Sequence, residues 1–239
     1  MKYLDLTFTE PARNLACDEA LLTCFETERR ATSLLRIWQP ENYFVVLGHS
    51  NKLRAEVDVD QCHKAGVAVA RRISGGGAVM QGPGCLNYAL ILNTELLSLP
   101  SIGDTFNFVL ERHRQMVEKI KGAEVRIDGV SDLTIAGRKF SGNSQYRKRT
   151  HALVHGTFLL TFDLSLIERC LLMPKRQPEY RHNRAHGEFI ANIQLDSMTL
   201  RHGLIDAWNA TEPFASLPST IIDQLAVGRY GQLVWTEKF

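Results

Sequence analysis

The stretch from Arg71 to Tyr88, RRISGGGAVMQGPGCLNY, constrains this chain more than any other. Three consecutive glycines, Gly75, Gly76 and Gly77, follow two arginines and a serine, and a second pair, Gly82 and Gly84, brackets Pro83. Both flanks are apolar and strand-like: residues 66–70 read GVAVA before it, and 88–92 read YALIL after it. Glycine weakens a strand interior by backbone entropy and by the packing it forgoes, so five of them between two strands need a cause. The usual cause is a ligand lying directly on the backbone, and Arg71 and Arg72 suggest an anionic one. An ordinary glycine-rich loop with solvated arginines is the alternative.

The common phosphate-binding loops do not fit. No Lys-Ser or Lys-Thr follows the glycines, and the spacing is not that of G-x-G-x-x-G opening a helix. The 239 residues suffice for a sizeable core, with 44% hydrophobic and 23% charged residues, as in ordinary globular chains. A net charge of +2 gives no general drive toward nucleic acid or an anionic membrane. No apolar run approaches the roughly 20 residues that span a bilayer, and the N-terminus has no hydrophobic signal core, so a cytoplasmic location is expected. Five cysteines without a C-x-x-C pair argue against a disulfide framework or a structural zinc site.

Tyr3 to Phe8 reads as a first strand, and Asn14 as the N-cap of a helix whose apolar stripe is Leu15, Leu22 and Phe25. Ser33 to Trp38 and Tyr43 to Gly48 read as a hairpin turned by residues 39–42. A short helix from Asp58 to Ala65 stops at Gly66, and a long one from Asp104 to Lys121 stops at Gly122. His113 lies on the apolar face of the long helix, where a packed histidine is expected. Short strands follow over 124–127, 132–136, 139–145 and 152–162, with a tight turn at Ala136-Gly137, and then a helix over 164–172. Residues 178–188 are almost wholly polar and read as a surface loop. Helices close the chain over 197–208 and 218–227, with Gly228 past the end of the second. This order predicts an α+β fold with mixed, largely antiparallel sheets packed against helices.

A second unusual stretch runs from Ser131 to Gln145, SDLTIAGRKFSGNSQ. Lys139 stands there in a strand-turn-strand context, and strict alternation would point it the same way as Ser141. A lysine on a rigid strand is a good point charge for a phosphate or carboxylate oxygen, although a solvated lysine is the commoner case. His155-Gly156 then opens the apolar run TFLL.

Taken together, RRISGGGAV, GPGCLNY, SDLTIAGRKFSGNSQ and HGTFLL resemble the lipoate–protein ligase and octanoyltransferase family, which is related to the biotin–protein ligases. NLACDEA at residues 14–20 resembles its N-terminal helix, and the segment from Arg229 to Trp235 the end of its catalytic domain. The resemblance implies a single biotin/lipoate ligase-like catalytic domain over residues 1–239, without the family's C-terminal accessory domain. It implies a lipoate or octanoate ligase that uses ATP and magnesium to form an acyl-AMP and then acylates a lysine of a lipoyl domain. The acceptors it implies are the acyltransferase subunit of 2-oxoacid dehydrogenases and the H protein of glycine cleavage, with a separate accessory protein as a further partner. Lys139 matches the family's central lysine. Arg72 and the run Ser74, Gly75, Gly76, Gly77, Ala78 and Val79 match the segment that wraps the acyl-adenylate. Asn87 matches the asparagine of the next strand, Asp132 the approach to the adenine and its metal, and His155 with Gly156 the acyl pocket. The chemistry of the residues agrees: glycines permit close approach to a phosphate, Lys139 and Arg72 supply fixed cations, and aliphatic strands supply an apolar slot.

Three departures stand against the match. Gln81-Gly82 replaces His-Asp, Cys85 takes a place often held by asparagine, and the chain stops at Phe239. Transferases of this family hold the acyl group on a cysteine. Neither of their positions carries one here, so Cys170, several residues early, and Cys85, within the loop, are the candidate nucleophiles of that alternative. A biotin ligase would show a G-R-G-R-x pattern, which is missing, and a non-catalytic lipoate-binding module would use the same glycines and Lys139.

Overall fold

Two strands with no polar alternation, Leu34–Trp38 and Cys85–Asn93, are buried along their whole length and form the spine of the protein. A strand buried on both faces must lie inside a sheet that is covered on both sides. The computed structural model, which describes residues 1–239, places them side by side.

In chain order the elements begin with β1 (Lys2–Asp5), α1 (Pro11–Thr27), β2 (Leu34–Trp38) and β3 (Phe44–Leu47). Then come α2 (Leu53–Glu56), α3 (Val59–Lys64), β4 (Ala68–Arg71), β5 (Val79–Gln81) and β6 (Cys85–Asn93). The long helix α4 (Ile102–Lys121) precedes β7 (Arg126–Asp128), β8 (Asp132–Ile135), β9 (Arg138–Arg147) and β10 (His151–Leu159). The chain closes through α5 (Leu164–Cys170), α6 (His186–Phe189), α7 (Ser197–Ala207), β11 (Glu212–Pro213), α8 (Ser219–Leu225) and α9 (Leu233–Thr236). An eight-stranded sheet runs β11-β1-β2-β6-β10-β9-β8-β7, and a three-stranded sheet runs β4-β3-β5. Pairing is antiparallel except for β11 with β1, β1 with β2 and β3 with β4, so the fold is the mixed, largely antiparallel α+β expected.

Alternation along the spine sorts the two faces. Leu86, Tyr88, Leu90 and Leu92 of β6 join Leu35 and Ile37 of β2 under α4 and α7. Ala89 and Ile91 join Leu34 and Trp38 under α1 and α8. A third apolar cluster, between the small sheet and α3, α5 and α6, holds Val45, Leu47, Met80 and Leu159.

Several expectations are met. Ser101 and Asp104 form a capping box at the start of α4, and Gly122 ends it in the left-handed conformation, φ 65°. Ala136 and Gly137 take φ of 50° and 72°, the pair of positive angles that a two-residue hairpin turn requires. His113 is buried and accepts a hydrogen bond from Trp208 Nε1 at 2.8 Å, and burial pushes it down to about 3, so it is a neutral core residue.

Others are corrected. β2 and β3 form no hairpin: both edges of β2 are taken by β1 and β6, and β3 lies between β4 and β5 in the other sheet. α1 starts at Pro11, not after Asn14. Asn14 sits one turn inside, buried, where its amide holds both backbone groups of Phe8 and its oxygen accepts from Arg36. The first strand stops at Asp5. Gly228 does not end the last long helix, because a wide π-turn over Ala226–Tyr230 carries it on, held by Arg229 and Tyr230 on the Glu19 carboxylate. No helix is long and apolar enough to cross a membrane.

Candidate active site

The glycine-rich loop bridges β4 and β5 of the small sheet and lies against β9 and β10 of the large one. Its own arginines build it. Arg72 is buried and donates from Nε to Ser74 Oγ at 3.0 Å, from Nη1 to the Val46 carbonyl, and from Nη2 to the carbonyls of Gly75 and Gly77. Arg71 is fully buried and donates to the carbonyls of Gly48, His49, Asn51, Trp235 and Thr236. The anionic partner expected for this pair is therefore met by backbone oxygens. Burial lowers Arg72 to about 10, still far above neutrality. Gly48 packs so closely under the Gly76 carbonyl that a methyl group there would overlap it, and Gly76 takes a φ of 89°.

Two cavities meet at Lys139. The first, about 220 Å3, is walled by Met80, Phe140, Leu159, Ile167, Phe189 and Ile190, with Arg176, Arg181 and His186 on its polar side. The second, about 180 Å3, is lined by Trp38, Gln81, Asn87, Asn143, His155 and Gly156 along with Arg72 and Gly76. Lys139, Asp132, Gly142 and Thr157 line both, as do Gly77, Ala78 and Val79. A broader groove of about 780 Å3 beside Leu53 and Phe239 holds none of these residues.

Lys139 reaches the junction from the start of β9. Thr134 pairs with Lys139 but Leu133 pairs with Ser141, so Phe140 is an extra residue, a bulge of the kind that re-aims side chains. Simple alternation across this step therefore does not hold. Lys139 Nζ forms an ion pair with Asp132 Oδ1 at 2.8 Å, and Tyr180 donates its hydroxyl to Asp132 Oδ2 at 2.7 Å. Burial, followed by the Asp132 charge, pushes the Tyr180 phenol up, which keeps it a donor.

The second cavity is more polar than the aliphatic slot expected, because the aliphatic residues of β6 and β10 pack into the cores instead. Gln81 donates from Nε2 to Thr157 Oγ1 at 3.2 Å, and Thr157 donates to Asn87 Oδ1 at 2.6 Å. That direction of donation leaves Asn87 Nδ2 and Gln81 Oε1 without partners, and Trp38 Nε1 is unpaired as well. Buried polar atoms are nearly always satisfied, so three orphans around one cavity mark a place where a ligand completes the bonding. Gly156 is required here, since a Cβ would strike Asn143 and the Tyr88 ring.

Most residues singled out in the sequence converge on these cavities. Ser74 and Gly75 do not line them: Ser74 is buried behind the loop on His155, and the Gly75 carbonyl accepts from Arg72 and Ser144. Cys85 and Cys170 are both fully buried and line neither cavity, and burial pushes the Cys85 thiol up to about 12. Residues 178–188 lie at the surface as read, with His182, Asn183 and Glu188 exposed, but their arginines are tied down. Arg184 donates to the carbonyls of Gly137 and Tyr180, Arg181 is buried over the Phe189 ring, and Arg138 reaches back to the Ile190 carbonyl. The segment roofs the first cavity, and its arginines are clamps on backbone oxygens. Tyr180, Thr157 and Trp38 were not singled out in the sequence, and Gln81 was marked only as a departure from the family pattern.

The sequence matches the family model of the lipoyl protein ligase A/B catalytic domain over residues 10–198. The chain belongs to this family. Among relatives, a probable lipoate-protein ligase A of Mycoplasma pneumoniae is 32% identical over 209 residues, which cover 84% of this chain and 59% of that one. Octanoyltransferase LipM of Bacillus subtilis is 26% identical, covering 77% of this chain and 73% of that one. The structure of a lipoate-protein ligase A bound with ATP superposes with a TM-score of 0.85 at 22% identity, covering 99% of this chain and 98% of that one, which establishes the shared fold. The chain spans about three-fifths of the length of the first curated ligases it matches. Within the family fold, the glycine-rich loop, Lys139 and both cavities fall inside the matched region.

Proposed function

We propose that this chain is the catalytic domain of a lipoate–protein ligase, which activates lipoate or octanoate with ATP and passes the acyl group to a lysine of a lipoyl domain. The observation that carries the reading is one cation, Lys139, at the junction of two cavities, with no accessible thiol beside it. The acid occupies the cavity of Trp38, Asn87, His155 and Gly156, and the nucleotide occupies the other. There the apolar wall takes the purine, and Arg176 and Lys139 face the phosphates. A carboxylate oxygen of the acid attacks the α-phosphorus of ATP and pyrophosphate leaves. The acceptor amine then attacks the carbonyl of the mixed anhydride, loses its proton, and AMP departs with the bonding electrons. Lys139 stabilises the charge that develops on the non-bridging oxygens in both steps and forms no covalent bond. His155, held at about 3 by burial and by Arg72, is neutral and takes up no proton near neutrality.

No cluster of three acidic, histidine or cysteine side chains is present. Magnesium needs none, since it binds through one or two carboxylates and the substrate phosphates, and Asp132 and Glu56 line the nucleotide cavity. Those two residues fit the ion, which would neutralise phosphate charge. The acceptors proposed are the lipoyl domains of 2-oxoacid dehydrogenases and the glycine cleavage H protein. An accessory domain, joined or separate, is proposed as the activator of the first step, in keeping with the greater length of the curated ligases.

Incubation with lipoate, ATP and magnesium, followed by intact mass of a lipoyl-domain acceptor, tests the reading. A lipoyl adduct on the acceptor is expected, and incubation with an octanoyl thioester is expected to leave no acyl group on the enzyme. An acyl-enzyme lost on Cys85→Ser or Cys170→Ser would favour the transferase chemistry of relatives such as LipM. Binding of lipoate without turnover, even with an accessory domain supplied, would leave only a binding module.

A further prediction arises from Gly48. Gly48→Ala pushes the Gly76 carbonyl out of place at the edge of the acid cavity without replacing any residue that lines it. Misplacement of about 1 Å can lower catalysis about a hundredfold, and that loss in kcat/KM for lipoate is expected here with a native circular-dichroism spectrum.

A further inference from the structure

Behind the glycine-rich loop runs a line of buried polar groups that no step above employs. Arg36 of β2 donates to Asp18 Oδ1 of α1 at 2.6 Å. The other oxygen, Asp18 Oδ2, is buried, has no hydrogen-bond partner, and faces His155 Nδ1 at 3.9 Å. On the far side of the ring, His155 Nε2 lies 2.6 Å from Ser74 Oγ, which also accepts from Arg72 Nε. Arg72 then holds the carbonyls of Gly75 and Gly77.

Proton counting gives this line a direction. A guanidinium only donates, so Ser74 accepts from Arg72. The hydroxyl proton of Ser74 is buried and has one other partner, His155 Nε2, to which it must go. Nε2 is then an acceptor, the ring is neutral, and its own proton sits on Nδ1, facing the orphaned carboxylate oxygen. The depressed pKa of His155, from burial and the Arg72 cation, is consistent with that state. At 3.9 Å the last contact is electrostatic and not a hydrogen bond, but a carboxylate facing Nδ1 favours this tautomer over the other.

We propose that Asp18 is a positioning residue: through the tautomer of His155 and the hydroxyl of Ser74 it orients Arg72, and with it the carbonyls that shape the glycine-rich loop. Neither Asp18 nor Ser74 lines a cavity, so both act at a distance from the reacting atoms. The inference rests on the ligase reading only where it concerns which ligand feels the loop. The acid cavity includes Arg72, Gly76 and His155 themselves, whereas the nucleotide cavity takes only Gly77 and Ala78 from the loop and draws its apolar wall from β5, β9, β10, α5 and α6. Disturbing the line should weaken the acid far more than the nucleotide.

The test combines nitrogen-15 NMR of the histidine rings of the full chain with titrations of lipoate and of ATP. The wild-type ring of His155 is expected neutral, with its proton on Nδ1. Ser74→Ala is expected to bring in the Nε2-protonated form and to raise the Kd for lipoate about tenfold, the scale of one buried hydrogen bond, with the Kd for ATP changed by less than about twofold. Asp18→Asn should shift the tautomer in the same sense, but it strands Arg36, so Ser74→Ala decides if that variant does not fold. A wild-type His155 protonated on Nε2, or charged at neutral pH, overturns the proposal, as does a Ser74→Ala protein with unchanged lipoate affinity. Wild-type protein that binds neither lipoate nor ATP overturns the ligase reading instead, and the tautomers of the wild-type and Ser74→Ala rings then decide the relay alone.

Discussion

Lys139→Met is expected to slow lipoate-dependent release of pyrophosphate from ATP by about 10²- to 10³-fold, the loss typical of removing one preorganised stabiliser of transition-state charge. The side chain lines both cavities and is the only cationic one common to them. Its position is set twice. The bulge at Phe140 aims it, and Gly142 makes room, since a Cβ there would lie 2.7 Å from Nζ. The Asp132 pair holds it in place before substrate arrives, so little reorganisation is left for the transition state. The same pair predicts small damage to the fold: Lys139 is partly exposed, and Asp132 keeps the Tyr180 hydroxyl when the ammonium is gone. Lys139→Arg should not restore the rate, because a planar fork cannot occupy the niche beside Gly142. Pyrophosphate release read against the thermal midpoint checks both halves. A Lys139→Met protein retaining more than about a tenth of the rate would remove Lys139 from the mechanism.

The hairpin that carries that lysine was legible because it is local, whereas the lysine itself stood out only through its match to the family's central lysine. Ala136-Gly137 announces a hairpin, and residues 139–142 follow it at once. The glycine-rich loop was legible for a different reason: no packing need explains Gly75 to Gly77. What failed in each case depends on partners distant in the chain. Arg71 looks like an anion-binding residue until Trp235 and Thr236, more than 160 positions away, bring their carbonyls to it. Leu34–Trp38 and Phe44–Leu47 look like a hairpin because they are adjacent, and only the pairing of the first with β1 and β6, far from it in the chain, separates them. The polar segment around Tyr180 reads as a surface loop, and only the geometry reveals the carbonyls its arginines hold. Asp18 carried no signal beyond its helix. A buried carboxylate and an exposed one are written with the same letter, and its partner Arg36 comes from a strand whose other residues are aliphatic or aromatic.

That buried pair yields the largest expected loss of stability. Arg36 is 1% exposed, stacks on the Trp38 ring, and donates to the carbonyls of Leu6 and Asn14, to Asn14 Oδ1 and to Asp18 Oδ1. Arg36→Met fills much of the volume but leaves Asp18 buried without a counter-charge, and breaking such a pair costs about 3–5 kcal/mol. Burial already pushes the Asp18 carboxyl above its ordinary range, with Arg36 pulling it back. Without Arg36 the folded-state pKa rises further above the unfolded value. A group shifted in that sense stabilises the fold below its unfolded pKa, and that contribution is lost as pH rises through the folded one. The deficit of Arg36→Met should therefore be greatest near neutrality and shrink toward acid pH, as Asp18 takes up a proton and ceases to be a buried charge. Urea unfolding at about pH 7.5 and about pH 5 measures it, and an equal deficit at both would show that an uncompensated Asp18 is not its source. Adding Asp18→Leu should recover a large part of the loss at neutral pH, because the double variant buries no charge at all. The recovered protein would still have lost the carboxylate that faces His155, so its stability and its affinity for lipoate should part company.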